Sequence, residues 1–194
     1  MKRIVLASGG LDSSTLLTIL PKEDTMALFY DYGQACANQE RKALKDIADR
    51  LGIPTLEINI VEVFKRSKSS IVNGGEPKHE VEGRNLVFIA NAISVAMQLY
   101  PQEKVEILLG LIKIGLPYPD CTKEFVRMCN DLAQTVSNGC VQISAPFADI
   151  GKDEVLMRLK DSKILPKETW SCYYGENEPC GSCPACIDRK ILGV

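Results

Sequence analysis

Ser8-Gly9-Gly10-Leu11-Asp12-Ser13-Ser14 decides how this chain folds. It follows a short apolar run, Ile4 to Ala7, and opens another, Leu16 to Leu20. The string reads as a strand end, a glycine turn and a helix start. Glycines let a backbone turn tightly and let a ligand approach it. The first N–H groups of a helix lack partners within the helix and favour an anion. Ser8, Ser13, Ser14 and Thr15 add hydroxyl donors. Asp12 is the odd member, because a carboxylate repels phosphate unless it caps the helix or meets a magnesium ion. The competing reading is a plain βα turn with a serine or aspartate N-cap.

Outward from this loop the pattern alternates. Met1 to Ala7 is expected as a buried parallel strand, and Leu11 to Leu20 as a helix stopped by Pro21. Thr25 to Tyr30 is a second strand, followed by the turn Asp31-Tyr32-Gly33-Gln34. Asn38 to Leu51 is a helix with Leu44, Ile47, Ala48 and Leu51 on one face, ended by Gly52 and Pro54. Thr55 to Ile60 alternates as a third strand, and Ser67 to Glu82 has no period and reads as the longest loop. Asn85 to Tyr100 is a helix with Leu86, Ile89, Ala90, Ile93 and Met97 in one stripe. Lys104 to Leu109 is the fourth strand, closed by Gly110. Thr122 to Val136 is a helix with Phe125, Cys129, Leu132, Ala133 and Val136 inward. Val141 to Ser144 is a fifth strand, Lys152 to Asp161 a helix, and a short helix at Ile187 to Leu192 interrupts a loop-like tail from Leu165.

Strands alternating with helices imply an α/β fold, a Rossmann-like parallel five-stranded sheet with helices on both faces. Ligands of such sheets bind beyond the carboxyl ends of the strands. That rule gathers Ser8–Ser14, Asp31–Gln34, Gly110–Cys121 and the loop before Lys152 onto one rim.

The 194 residues are enough for one domain with a small appendage. Hydrophobic residues at 45% and charged residues at 25% exclude a disordered chain, and a net charge of −2 gives no general field for nucleic acid. A small-molecule substrate is the expected partner. No apolar run approaches transmembrane length, and Lys2 and Arg3 precede too few apolar residues for a secretory signal. The expected location is therefore cytoplasmic, where cysteines stay reduced.

That matters for Cys172, Cys180, Cys183 and Cys186, spaced C-x7-C-x2-C-x2-C. Thiolates at this spacing converge on one tetrahedral ion, and a single structural zinc (Zn²⁺) is the expected occupant. An iron–sulfur cluster is the competitor, since four cysteines hold one too. Cys36, Cys129 and Cys140 read as small buried residues, and Cys121 lies on the active rim. The one histidine, His79, falls in the polar loop and is expected to be solvated rather than catalytic.

The Ser8–Ser14 string lacks the lysine of a Walker A loop. It resembles the SGGxDS loop of the PP-loop ATP pyrophosphatases, which split ATP into AMP and pyrophosphate. With Asp31-Tyr32-Gly33-Gln34 and Glu40, Gly83-Arg84-Asn85, Tyr118-Pro119-Asp120-Cys121 with Glu124-Phe125, Lys152 and the four C-terminal cysteines, the chain resembles the 7-cyano-7-deazaguanine synthase family nearly end to end. The resemblance implies an adenine nucleotide alpha hydrolase-like, PP-loop ATP-binding domain over residues 1–164 and a zinc-binding segment over residues 165–194. It implies a carbon–nitrogen ligase serving queuosine-type biosynthesis. ATP would adenylate the carboxylate of 7-carboxy-7-deazaguanine, ammonia would displace AMP to give an amide, and a second ATP would adenylate the amide oxygen so that loss of AMP leaves the nitrile.

By the same resemblance Ser8, Gly9, Gly10, Leu11, Asp12, Ser13 and Ser14 bind pyrophosphate, with Asp12 the candidate ligand of Mg²⁺. Asp31 and Gln34 fall near the nucleotide. Asp12, Arg84 and Lys152 are the catalytic candidates, and Arg84, Asn85, Tyr118, Asp120 and Glu124 the substrate candidates. The family resemblance also implies a homodimer. Three departures fall on the substrate rim: Ala35-Cys36 stand where the family usually has Arg-His, Leu111 to Pro117 is unusually apolar, and the Ser67–Glu82 region is short. They leave open a variant that stops at the amide or joins the activated carboxylate to another amine, even one on a macromolecule. A non-catalytic nucleotide-binding scaffold is the reading of a different class.

Overall fold

The first strand, β1 (Lys2–Leu6), lies at the centre of a parallel sheet. Our computed structural model describes residues 1–73, 79–113, 118–175 and 177–194. The other strands are β2 (Thr25–Asp31), β3 (Thr55–Asn59), β4 (Val105–Leu109) and β5 (Val141–Ser144). Their order is β3-β2-β1-β4-β5, every neighbouring pair parallel. The α-helices of the described residues are α1 (Leu11–Ile19), α2 (Ala37–Leu51), α3 (Val61–Phe64), α4 (Ser70–Asn73), α5 (Arg84–Leu99), α6 (Lys123–Val136), α7 (Lys152–Lys160) and α8 (Pro184–Ile191), and three short 3-10 turns lie at Lys22–Asp24, Pro119–Cys121 and Pro166–Glu168.

The inner strand β2 is buried along nearly its whole length because both faces of the sheet are covered, while the edge strands β3 and β5 alternate. Side chains alternate across the sheet. Val5, Ala27, Phe29 and Leu108 point into a core with α1, α2 and α7, around Leu16, Ile47 and Leu159. Ile4, Leu28, Tyr30 and Ile107 point the other way, into a core with α5 and α6. The chain order reverses between β1 and β4, which is where such sheets open a crevice. The loop after β1 is therefore placed at the crevice by topology.

Two helix faces differ from the sequence expectation. On α5 the buried face is Asn85, Ile89, Ala92, Ile93 and Ala96, while Leu86 and Met97 are exposed. On α6 it is Val126, Cys129 and Ala133, while Leu132 and Val136 are exposed. Both helices are apolar over a wide arc, so periodicity could not choose between neighbouring faces. The fold takes the side rich in small residues, which lets each helix lie close on the sheet.

The stretch read as the longest loop carries α4, and Ile71 and Val81 pack with Tyr32 and Phe64 in a satellite cluster. Its residues 74–78 lie outside the described residues, as do residues 114–117 of the apolar stretch before Tyr118. In the tail α8 starts at Pro184, earlier than expected, with Cys183 as its N-cap. Proline suits a first helical position, where its missing N–H has no partner to lose.

Candidate active site

The loop after β1 is held by its own hydroxyls. Ser8 N–H donates to Ser13 Oγ (3.3 Å), Gly10 N–H to Ser8 Oγ (3.3 Å) and Ser13 Oγ to Gly10 O (3.4 Å). Gly9 has φ of +73°, and a Cβ there would lie 2.6 Å from Glu40 O and 2.8 Å from Leu44 N. Only glycine lets α2 back onto the turn this closely. Gly110, just after β4, plays the same part opposite: a Cβ would lie 3.0 Å from Ser13 N. The loop is thus clamped between α2 and the end of β4.

The clamped loop opens onto a cavity of about 340 Å³. Ser8, Gly10, Leu11, Asp12 and Ser13 line it. Asp12 Oδ1 is buried without a hydrogen-bond partner. Burial pushes its carboxyl up to about 6, against the pull of Lys152. A buried lone pair with nothing to accept from is costly unless a ligand completes it, and a carboxylate oxygen is the donor a hard cation takes. Lys152, at the start of α7, reaches the same cavity with its Nζ 3.3 Å from Asp188 Oδ2.

The other end of the cavity is built around Arg84. Its Nη1 donates to Tyr32 OH (3.1 Å), its guanidinium carbon lies 5.5 Å from the Tyr32 ring centre and 5.9 Å from that of Phe88, and its Nε is buried without a partner. A guanidinium wedged between rings keeps its charge and presents a rigid fork suited to a carboxylate or phosphate. Burial pushes the Tyr32 phenol well above its usual range, so it stays neutral and does not cancel that charge. Asn85 and Tyr118 line the same end.

In the tail, the sulfurs of Cys172, Cys180, Cys183 and Cys186 all lie within 4.8 Å of one another, and they form a cluster that could hold a metal ion. Tetrahedral bonds of about 2.3 Å to one ion would set sulfurs about 3.8 Å apart; Cys180 and Cys186 are at 4.0 Å. Backbone N–H groups of Tyr174, Gly175 and Cys180 point at Cys172 Sγ, at 3.5, 3.1 and 3.2 Å. Those of Ser182 and Cys183 hold the Cys180 thiol down, to about 6. Donors aimed at sulfur favour the thiolate, the form that binds metal. All eight cysteines are free.

The family described as Queuosine biosynthesis protein QueC matches residues 2–191. The chain belongs to the QueC family. A 7-cyano-7-deazaguanine synthase from Aquifex aeolicus is 31% identical, with 96% of this chain and 94% of that one covered. One from Methanobrevibacter smithii is 31% identical over 97% and 91%. One from Saccharolobus solfataricus is 32% identical over 97% of this chain, which spans 44% of that longer protein. Two solved structures share the fold at 14% identity and a TM-score of 0.51. The U34-tRNA thiolase NcsA from Methanococcus maripaludis, solved with its [4Fe-4S] cluster, is covered over 99% of this chain and 64% of that one. NMN synthetase from Francisella tularensis is covered over 99% and 77%.

Several residues singled out in this QueC-family sequence stand away from the cavity. Gly9 turns toward α2, and Ser14 is buried beneath the loop with its Oγ unpartnered. Asp31 holds the turn after β2: its carboxylate accepts the Gly33 N–H (3.1 Å) and pairs with Arg41 (2.8 Å), which also pairs with Glu57. Gln34 does reach the cavity. Asp120 accepts the Asn85 N–H (3.0 Å) and so serves the start of α5, while Thr122 caps α6 by accepting the Phe125 N–H (3.0 Å). Glu124 is exposed and pairs with Arg127, which holds its carboxyl below the usual range. Cys121 takes a hydrogen bond from Asn85 Nδ2 (3.3 Å), and burial pushes its thiol up to about 11, which suits no nucleophile.

The sequence reading missed other members of the wall. His79 is half-buried on the cavity, with Nδ1 2.8 Å from Tyr174 OH and 3.2 Å from Ser70 Oγ. Cys36, Trp170 and Tyr173 also line it. Trp170 and Tyr173 come from the tail, whose backbone meets the loop through Trp170 N–H to Gly9 O (2.9 Å). The tryptophan was visible in the sequence, but only the returning tail brings it to the loop.

Proposed function

We propose that this chain is an Mg-ATP-dependent carbon–nitrogen ligase that adenylates the carboxylate of 7-carboxy-7-deazaguanine and lets ammonia displace AMP to give the amide, whose oxygen a second ATP adenylates so that loss of AMP leaves 7-cyano-7-deazaguanine. One observation carries the reading: a single cavity joins a phosphate loop bearing the orphaned Asp12 oxygen to a guanidinium bearing an orphaned Nε. Adenylation builds negative charge between two anions, so donors and cations must be in place beforehand.

The roles follow from position. The N–H groups at the start of α1, with Ser8 and Ser13, receive the pyrophosphate. Asp12 offers Mg²⁺ its free oxygen, and the ion would neutralise charge on the phosphate oxygens. Lys152 adds a second positive charge on the loop side. Arg84 orients the attacking carboxylate, and Asn85 and Tyr118 flank the heterocycle. The exposed Glu124 and the occupied Asp31 and Asp120 act on folding more than on substrate.

Zn²⁺ is our assignment for the four thiolates. A multi-iron cluster places metals and sulfides between its cysteine sulfurs and wants a wider spread than this tight set. The metal then fixes residues 165–194 as a capping segment on the ATP domain of residues 1–164. Free thiols throughout suit a reducing compartment such as the cytoplasm. Among the described residues, no helix is long and apolar enough to cross a membrane. For assembly we favour a homodimer through α5 and α6, whose outward faces carry Leu86, Met97, Met128, Leu132 and Val136.

The test is to incubate the protein with Mg-ATP, 7-carboxy-7-deazaguanine and ammonium and to identify products by mass. The nitrile with AMP and pyrophosphate is the expected result. Amide alone would favour the variant that stops there, and ATP binding without AMP release would overturn the ligase reading in favour of a scaffold.

A further inference from the structure

Glu40 is a carboxylate on the cavity wall that neither the phosphate loop nor the cysteine cluster explains. It lies in the first turn of α2, the helix that backs onto Gly9. Its hydrogen bonds come from neutral groups. Gln34 Nε2 donates to Glu40 Oε2 at 2.8 Å, and the Cys36 thiol is a second donor.

Gln34 is itself immobilised. Its Oε1 accepts the Tyr32 N–H (3.0 Å), and its Nε2 also donates to Tyr30 O (3.2 Å). The carboxylate is thus held in one place by a side chain tied to the end of β2. The charged and titratable groups facing it are Arg84 from α5, Asp31 from β2, and Tyr32 and Cys36 from the turn between β2 and α2. Tyr32 and Cys36 are both pushed upward by burial and stay neutral. Arg84 draws Glu40 toward ionisation yet directs its own hydrogen bond to Tyr32.

A carboxylate half-buried in a cavity wall, with only neutral hydrogen-bond donors, is a ready acceptor for a cation that enters the cavity. It is fixed beside the guanidinium that orients the acyl group. The missing reactant is a nitrogen nucleophile, which exists in water mainly as its cation. We propose that Glu40 captures the incoming ammonium or primary amine and takes its proton, freeing the neutral nitrogen that displaces AMP. This rests on the adenylating reading above and names the residue that serves its second half.

The step balances. One proton passes from ammonium to the Glu40 carboxylate. The freed lone pair forms the C–N bond, and the acyl C–O bond breaks with its electron pair leaving on AMP. The surplus proton on nitrogen goes to the departing phosphate, and Glu40 returns its proton to water after release. Its ordinary range is shifted up to about 6 by burial, so it is ionised yet basic enough to accept a proton near neutrality.

The experiment compares wild type with Glu40→Gln, which keeps the acceptor for Gln34 and removes the base. Pyrophosphate exchange reads adenylation, and amide formation reads amine transfer. We expect amide formation from ammonium to fall about 100-fold or more, as for loss of a general base, and by a factor far larger than any fall in exchange. Hydroxylamine, already neutral at about pH 7.5, needs no such base; it should trap the acyl adenylate equally well in both proteins. Equal loss with ammonium and hydroxylamine, or no loss with either, overturns the role of Glu40 alone. Absence of exchange in wild type overturns the adenylating reading itself and the proposal with it.

Discussion

Trp170 and Gly9 are joined backbone to backbone: the Trp170 N–H donates to the Gly9 carbonyl at 2.9 Å. The cysteine segment therefore rests on the loop after β1, and the four-cysteine cluster and that loop form one mechanical unit. Cys172 follows Trp170 by two residues, and Trp170 Nε1 donates to Cys172 O (2.9 Å). Cys183→Ser, or chelation of the metal, should release the tail. We expect zinc content to fall from one per chain to near zero, stability to drop by more than ~3 kcal/mol, and ATP to bind more weakly. Atomic absorption, thermal melts and nucleotide titration check the three. Unchanged zinc in the variant would remove the metal assignment.

Gly9→Ala and Gly52→Ala separate two costs of adding a Cβ. Both glycines have positive φ, +73° and +70°. At Gly52 the Cβ meets nothing within 4 Å, so only the left-handed conformation is penalised, by about 1 kcal/mol. At Gly9 it also meets backbone of α2, which cannot step aside, and the total should reach ~3 kcal/mol or more. Denaturant melts give the difference. ATP binding should be lost in Gly9→Ala and kept in Gly52→Ala.

Arg84→Lys tests the fork. Lysine keeps the charge but neither the two-pronged geometry nor the stacking between Tyr32 and Phe88. Adenylation of the carboxylate should fall about 100-fold, with the larger share in KM for the acid. Steady-state kinetics on 7-carboxy-7-deazaguanine reads it, and an unchanged KM would place the carboxylate elsewhere.

These residues show what was legible in the sequence and what was not. The strand–loop–helix at Ser8–Ser14, the five strands and the cysteine knuckle could be read because each is local: turn chemistry, β-runs and ligand spacing. Gly110 was read only as a strand end, since its closeness to Ser13 depends on β4 lying beside β1. Asp31 and Asp120 were read as candidates from their place on the rim, but a carboxylate's partner is a tertiary fact, and Arg41 and Asn85 had already taken them. Glu40 was noted as a marker without a role, because the neutral lining that makes it unusual comes from Gln34 and Cys36 folding back over α2. The faces of α5 and α6 were misjudged because large apolar residues can face solvent or a partner as well as a core.

Those two faces give a prediction of their own. Met128 and Leu132 are 59% and 50% exposed on α6, with Val136 one turn further on. Replacing Met128 and Leu132 by Glu should split a dimer into monomers in analytical ultracentrifugation. The isolated fold should change by less than about 0.5 kcal/mol, as for surface sites. An oligomer unchanged by both substitutions would move the interface off α6.

Glu40→Gln also carries a pH signature in stability. Burial raises the native carboxyl from 4.5 to about 6. The native state therefore binds more proton than the unfolded chain between those values, and stability falls as pH rises through the window. Below it, both states hold the proton and the glutamate costs nothing extra. Above it, the buried charge costs about 2 kcal/mol at 1.36 kcal/mol per unit. Glutamine has no such charge. The variant should thus match wild type near pH 4 and exceed it by about that amount at pH 7.5, while losing amine transfer. Urea melts at the two pH values decide: equal stability at both would mean that Glu40 is already neutralised in the resting enzyme.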